Sequence, residues 1–200
     1  MSADPTRPTF DEQTALVVVD VQNDFADPGG NLFVGGGDGI VPTINELIGA
    51  ATAAGAPVAY TQDWHPESTP HFAKDGGTWP VHCVAGTWGA ELHPSLTVDG
   101  PIVQKGIGGE DGYSGFTMRE LDSGEDRGTG LHALLQEQGV TRVVVVGLAQ
   151  DVCVKATVLD ALRLGFDTTV LLDATRPVEI EAGDGERAID EMRRAGAAVV

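Results

Sequence analysis

The sequence predicts a three-layer, doubly wound α/β domain with a mostly parallel six-stranded sheet, and three observations carry that prediction. Short β-branched runs recur that are apolar on both faces, as strands buried inside a parallel sheet must be. Stretches of helical length and period separate them, giving the strand–helix alternation of an α/β fold. Two long irregular stretches, residues 63–100 and 106–130, hold an unusual concentration of reactive side chains, and loops of that length in a compact domain are usually functional.

The first strand is Ala15-Leu16-Val17-Val18-Val19, too short for a typical helix and without a polar face. After the Gly35-Gly36-Gly37 loop, residues 41–54 read as a helix and 57–61 as the second strand; residues 101–104 supply a third. Residues 131–138 form a helix stopped by Gly139, and the valine run over 142–146 is a strand that leads through Gly147 into a helix over 152–164. Residues 168–172 add another strand. A last helix over 186–195 sets Ile189 and Met192 on one face, and residues 197–200 close the sheet as a short strand. There is neither an internal repeat nor a linker, so one domain spanning 14–200 is expected behind a flexible extension over 1–13.

The chain has 200 residues, 42% of them hydrophobic, which suits one domain with a substantial core. A formal net charge of −18 with only twelve Lys and Arg argues against nucleic acid and against an anionic membrane surface, since both need a basic patch. A small-molecule substrate fits better. No stretch is long and apolar enough to span a bilayer, and the first dozen residues lack the apolar core of a signal peptide. Two cysteines, Cys83 and Cys153, make no disulfide framework and point to a reducing cytoplasm. A soluble, unprocessed chain is expected, either a monomer or a homo-oligomer.

Asp63, His65, His71 and His82 bring one carboxylate and three of the chain's five histidines into a single stretch. That is the ligand inventory of one divalent metal ion. Mixed nitrogen and oxygen ligation without thiolate suits Zn, Fe or Mn and leaves room for water or substrate. Asp63 and His65 stand two apart, so a strand continued that far would turn both to one face.

Three more reactive residues fall at predicted strand ends, where ligands of open parallel sheets bind. Asp20 ends the first strand, Lys105 follows the third, and Cys153 lies just past the 142–146 strand. Cys153 should occupy the first turn of its helix, where the helix dipole and a nearby Lys105 would favour the thiolate. Asp20 would then take the thiol proton and later return it to a leaving group, while amides of the same helix N-terminus receive an oxyanion. Singly, each residue has an ordinary explanation as packing, cap or solvated charge; their convergence with a metal cluster favours chemistry. Cys83 reads as packing, His93 and His132 as structural or exposed, and Asp24 and Asp27 as turn or hydrogen-bond residues.

The motifs Val19-Asp20-Val21-Gln22-Asn23-Asp24-Phe25, Asp63-Trp64-His65-Pro66, Thr78-Trp79-Pro80-Val81-His82-Cys83-Val84, Lys105-Gly106, Tyr113-Ser114-Gly115-Phe116 and Gly147-Leu148-Ala149-Gln150-Asp151-Val152-Cys153-Val154 occur in that order. With them the chain resembles the nicotinamidases, metal-containing members of the isochorismatase-like cysteine hydrolases, over nearly its whole length after about residue 14. The resemblance implies a catalytic triad of Asp20, Lys105 and Cys153, and metal ligands Asp63, His65, His71 and His82. It also implies a cis peptide at Leu148-Ala149 and an oxyanion hole from the amides of Ala149 and Cys153. Phe25 and Trp79, with Tyr113 nearby, are implied to hold the substrate ring while its nitrogen approaches the metal. The implied reaction converts nicotinamide to nicotinate and ammonia through a thioester, as in NAD salvage, with pyrazinamide as a further substrate. Val152 departs from relatives that carry an aromatic residue or His there, and residues 110–112 and 121–128 are expected to reshape the pocket rim. The rival readings are a superfamily amidase for ureido or carbamoyl compounds, an isochorismatase acting on a vinyl ether, and a noncatalytic metal or ligand-binding protein.

Overall fold

The first strand, β1 (Thr14–Val19), sets the layers, because its alternating side chains enter two separate hydrophobic cores. Leu16 and Val18 point into one core; Ala15, Val17 and Val19 point into the other. In the computed structural model, which describes residues 7–120 and 123–200, β1 lies at the centre of a six-stranded sheet. Residues 1–6 of the expected extension, and Leu121 and Asp122 of the 121–128 stretch, lie outside the described residues.

The sheet contains β1, β2 (Val58–Asp63), β3 (Ile102–Lys105), β6 (Arg142–Leu148), β7 (Asp167–Arg176) and β8 (Ala198–Val199). Its spatial order is β3-β2-β1-β6-β7-β8 and every neighbouring pair is parallel. The order reverses direction between β1 and β6, so the switch point of the doubly wound sheet opens there. Helix α2 (Val41–Ala53) covers one face with Ile44, Leu47, Ile48 and Ala51. On the other face lie α3 (Leu131–Glu137), α4 (Lys155–Arg163) and α5 (Asp184–Ala195), which contribute Leu131, Leu135, Val158, Ala161 and Met192.

The expected strands are all present, and most run further toward their carboxyl ends than apolar periodicity indicated. β2 extends to Asp63 and β3 to Lys105 because these polar ends are paired in register, Gln62 with Gln104 and Asp63 with Lys105. β6 continues through Gly147 to Leu148, and β7 passes Asp173 to reach Arg176 across a register shift opposite Val145–Gly147. Gly147 has φ +113°, and a Cβ there would lie 2.1 Å from the carbonyl oxygen of Val19. Only glycine lets these two backbones meet.

The irregular stretches are not wholly without structure. Within 106–130, β4 (Thr117–Arg119) pairs antiparallel with β5 (Asp126–Gly128), and outside both stretches a one-turn helix α1 (Asn23–Ala26) follows β1. Both hairpin strands are only three residues long, below what periodicity can detect. No helix among the described residues is long and apolar enough to cross a membrane.

Candidate active site

Three strands deliver charged side chains to one buried point at their carboxyl ends. Asp20, directly after β1, is fully buried and has φ +48°, a left-handed conformation that Asp tolerates better than most residues. Its amide donates to Thr61 Oγ1 at 3.2 Å, and the Thr61 hydroxyl donates to Asp20 Oδ1 at 2.7 Å. Lys105, also fully buried, places its ammonium 2.8 Å from Asp20 Oδ2, in contact with Asp63 Oδ1, and 3.8 Å from Cys153 Sγ. It donates to the carbonyl of Gly112 at 2.6 Å as well. Polar atoms of Asp20, Asp63 and Cys153 all lie within 4.8 Å of one another.

This geometry fixes the protonation pattern. Burial pushes the Asp20 carboxyl up to about 6, with Lys105 opposing and Asp63 reinforcing. Burial also drives the Cys153 thiol well up, against the pull of Lys105 and with the help of both carboxylates. Lys105 pulls toward the thiolate, as expected, but desolvation and two neighbouring acids outweigh it, so the proton stays on sulfur until Asp20 takes it. Cys153 rests as a thiol beside a carboxylate poised to take its proton. Lys105 stays charged, because Asp20 and Asp63 raise its value more than burial lowers it. Asp63 behaves oppositely to Asp20: burial alone would raise it, but Lys105, His65 and His82 hold it well below the carboxylate range.

Cys153 sits in a π-helical turn, Gln150–Val154, that opens α4, after a cis peptide between Leu148 and Ala149. The amides of Val152 and Val154 both donate to the carbonyl of Ala149. Asp151 accepts from the amides of Val178 and Glu179 at 2.8 and 2.9 Å, tying this turn to the loop after β7.

Beside this charged point stand three imidazoles. His65, His71 and His82 are buried, with ring nitrogens within 4.8 Å of one another and centroids 4.8 to 5.3 Å apart. Asp63 Oδ2 faces them, 3.7 Å from His65 Nε2 and 3.9 Å from His82 Nε2. β2 ends at Asp63, so His65 does not share a strand face with it; a parallel bridge between His65 and Val84 brings the ring round instead. Gly106 makes room for that ring: a Cβ there would fall 2.6 Å from the imidazole. His82 donates Nδ1–H to the Pro80 carbonyl at 2.7 Å, and burial lowers its value to about 4. His71 is lowered by burial also, with Asp111 opposing. Both rings are neutral at pH 7 and carry lone pairs.

One observation tests the cluster for a metal. Both nitrogens of His65, a residue 1% exposed, lack a hydrogen-bond partner among the described residues. Buried polar atoms are seldom left so. A cation among the three rings and Asp63 would satisfy them, and the donor set fits a divalent ion of the Zn, Fe or Mn kind.

His71, His82 and Cys153 open into one cleft, whose walls include Phe25, Trp79, Tyr113, Leu32, Val34 and Val178. Trp79 Nε1 donates to Tyr113 Oη at 3.0 Å, bracing two aromatic walls against each other. The aromatic and aliphatic lining suits a small flat molecule.

The model of the isochorismatase domain matches residues 14–200. The chain belongs to the isochorismatase family. Within it, the nicotinamidase of Escherichia coli is 39% identical to this chain, over 92% of each sequence. Among solved structures, the pyrazinamidase of Pyrococcus horikoshii in complex with zinc is 40% identical, with a TM-score of 0.82 over 94% of this chain and 98% of that one. PnC1 from L. infantum in complex with nicotinate is 36% identical, with a TM-score of 0.85 over 96% and 95%.

In this isochorismatase-family chain the site is not confined to one edge of the sheet. It spans the carboxyl ends of β3, β2, β1 and β6, because the ligand loop folds back over the switch point. Asp20, Lys105 and Cys153, the metal-ligand candidates Asp63, His65, His71 and His82, and Phe25, Trp79, Tyr113 and Ala149 converge there, whereas His132 packs against Phe166. Leu32, Val34 and Val178 were missed; isolated aliphatics in glycine-rich or post-strand loops carry no periodic signal. Gln22 was missed as well. It donates to the carbonyl of Asp63 at 2.7 Å and accepts the amide of Asp63 at 2.8 Å, locking the end of β2 to the loop after β1. Asp24 has the hydrogen-bond role expected of it, accepting from the amides of Asn31 and Cys83 at 2.9 and 2.7 Å.

Proposed function

We propose that this protein is a metal-dependent cysteine amidohydrolase that converts nicotinamide to nicotinate and ammonia in NAD salvage and accepts pyrazinamide as well, and that it works in the cytoplasm, where its two free cysteines stay reduced. The observation that carries this reading is that two members of the histidine cluster, His71 and His82, line the same aromatic cleft as Cys153. A pyridine or pyrazine ring fits between Phe25, Trp79 and Tyr113 with one end toward the imidazoles and the other toward the thiol. Ureido and carbamoyl compounds have no ring nitrogen to place at the imidazoles. The names of the zinc-bound and nicotinate-bound neighbours support the same substrate class.

Asp63, His65, His71 and His82 are the residues that would hold a single divalent ion. When bound, the ion supplies a Lewis-acid anchor for the ring nitrogen. The remaining chemistry belongs to the chain. Asp20 takes the thiol proton as Cys153 Sγ attacks the carboxamide carbon, and the oxyanion is received by the amides of Ala149 and Cys153. Asp20 returns that proton to the departing nitrogen, ammonia leaves, and a thioester remains. Asp20 then deprotonates water, which attacks the thioester; the carbon–sulfur bond breaks, Asp20 returns its proton to the sulfur, and the acid formed gives its remaining proton to solvent and leaves as nicotinate. Lys105 keeps Asp20 and Asp63 in place and balances the charge each step creates.

Ammonia release from nicotinamide, measured on wild-type and Cys153→Ala protein with metal content determined on the same samples, tests the reading. The expected result is release by the wild type alone, with about one metal per chain in both proteins. Metal retention without turnover of nicotinamide or pyrazinamide would refute the substrate; absence of metal would refute the ligand set.

A further inference from the structure

The loop between Lys105 and Tyr113 carries Asp111, whose Oδ1 stands 2.7 Å from Nδ1 of His71. An ionised carboxylate only accepts, so His71 donates Nδ1–H and turns the lone pair of Nε2 toward the other imidazoles. His82 reaches the same tautomer by donating to a backbone carbonyl, and His65 has no partner on either nitrogen among the described residues. Asp63 stands 3.7 and 3.9 Å from Nε2 of His65 and His82, whereas His71 is held by a carboxylate at hydrogen-bond distance.

The contact is built from both loops. Thr69 Oγ1 donates to the carbonyl of Gly109 at 2.8 Å and accepts the amide of His71 at 3.2 Å, latching the two segments on one side of the carboxylate. On the other side, the carbonyl of Asp111 accepts the amide of Arg119 at 2.8 Å, in a bridge to β4. The short β4–β5 hairpin thus acquires a purpose: it anchors the backbone that presents Asp111.

We infer that Asp111 is a positioning residue for the metal centre, fixing the tautomer and ring angle of His71 and raising its basicity, and so setting the affinity of the site for a divalent cation. This rests on the metal reading given above. Partners of this type, hydrogen-bonded to a ligating histidine, are worth about 10–100-fold in metal affinity. Asp111 has a half-exposed side chain, so its replacement leaves the buried core untouched.

The test compares wild type with Asp111→Ala, Asp111→Asn and Asp111→Glu as full-length apoproteins. Zinc affinity is read by chelator competition, ligand geometry by the absorption spectrum of the cobalt(II)-loaded forms, and folding by the melting temperature of the apoproteins. Expected are zinc binding about 10–100-fold weaker and an altered cobalt spectrum in Asp111→Ala and Asp111→Asn, partial recovery in Asp111→Glu, and unchanged apoprotein melting. Should Asp111→Ala fail to fold, the near-isosteric Asp111→Asn carries the comparison. Wild-type zinc affinity in the Ala or Asn variant overturns the role of Asp111 and leaves the metal reading standing; a wild type that binds no zinc overturns both.

Discussion

Replacing Lys105 with methionine removes one charge from a fully buried cluster and keeps the length of the side chain. The ammonium stands 2.8 Å from Asp20 Oδ2, touches Asp63 Oδ1 and donates to the carbonyl of Gly112. With it gone, two buried carboxylates face each other uncompensated. Breaking one buried pair costs about 3–5 kcal/mol. For a chain of this size each kcal/mol lowers the melting temperature by about 2–4 °C, so the Lys105→Met apoprotein should melt about 6–20 °C below wild type at pH 7. The deficit has a definite pH dependence. Burial already holds the folded Asp20 above its unfolded value, and losing Lys105 raises it further. A group raised on folding stabilises the fold below its unfolded value and loses that contribution as pH rises through the folded one. The variant should therefore approach wild type as pH falls toward the unfolded carboxylate range, where Asp20 is protonated. Circular-dichroism melts of both apoproteins across that range are the assay. A variant that melts within about 2 °C of wild type at pH 7 would refute the argument that Lys105 neutralises two buried acids.

Two further outcomes follow from the same geometry. Asp20 must be ionised to accept the thiol proton, so kcat/KM for nicotinamide should fall on the acid side with a limb near about 6, and Asp20→Asn should be inactive throughout; a flat profile from about pH 5 to 8 would count against Asp20 as the base. Trp79→Ala removes an aromatic wall and its hydrogen bond to Tyr113, and should raise KM about tenfold with a smaller effect on kcat, while an unchanged KM would remove Trp79 from the substrate contacts.

The sheet and its flanking helices were legible because β-branched runs such as 142–146 have no other stable home than a buried parallel strand. The reactive residues were legible because carboxylate, lysine, thiol and imidazole are rare at strand ends and rarer together. Protonation was not legible. The sequence places Cys153 near a helix start and near Lys105, yet burial among Asp20 and Asp63 depends on how four strands end in space. Nor was the role of Asp111 visible, since only the fold brings residues forty apart in sequence, His71 and Asp111, to hydrogen-bond distance. Aliphatic pocket walls such as Leu32 and Val178 stayed silent for a third reason: a hydrophobic side chain on a loop reads the same whether it lines a cleft or seals a surface.

Gly147 leaves no space between β6 and the carbonyl of Val19, so the separation of Asp20 from the turn bearing Cys153 is set by main chain against main chain. Side-chain volume plays no part in it. For anyone reshaping this scaffold toward new amides, that divides the cleft into a fixed half and a variable half. Positions 19, 20 and 147 behave as a rigid gauge block, whereas Leu32, Val34, Val152 and Val178 line the cleft from loops and a helical turn and do not set that spacing. Libraries confined to those four aliphatic positions would vary the substrate while the reacting atoms keep their distance.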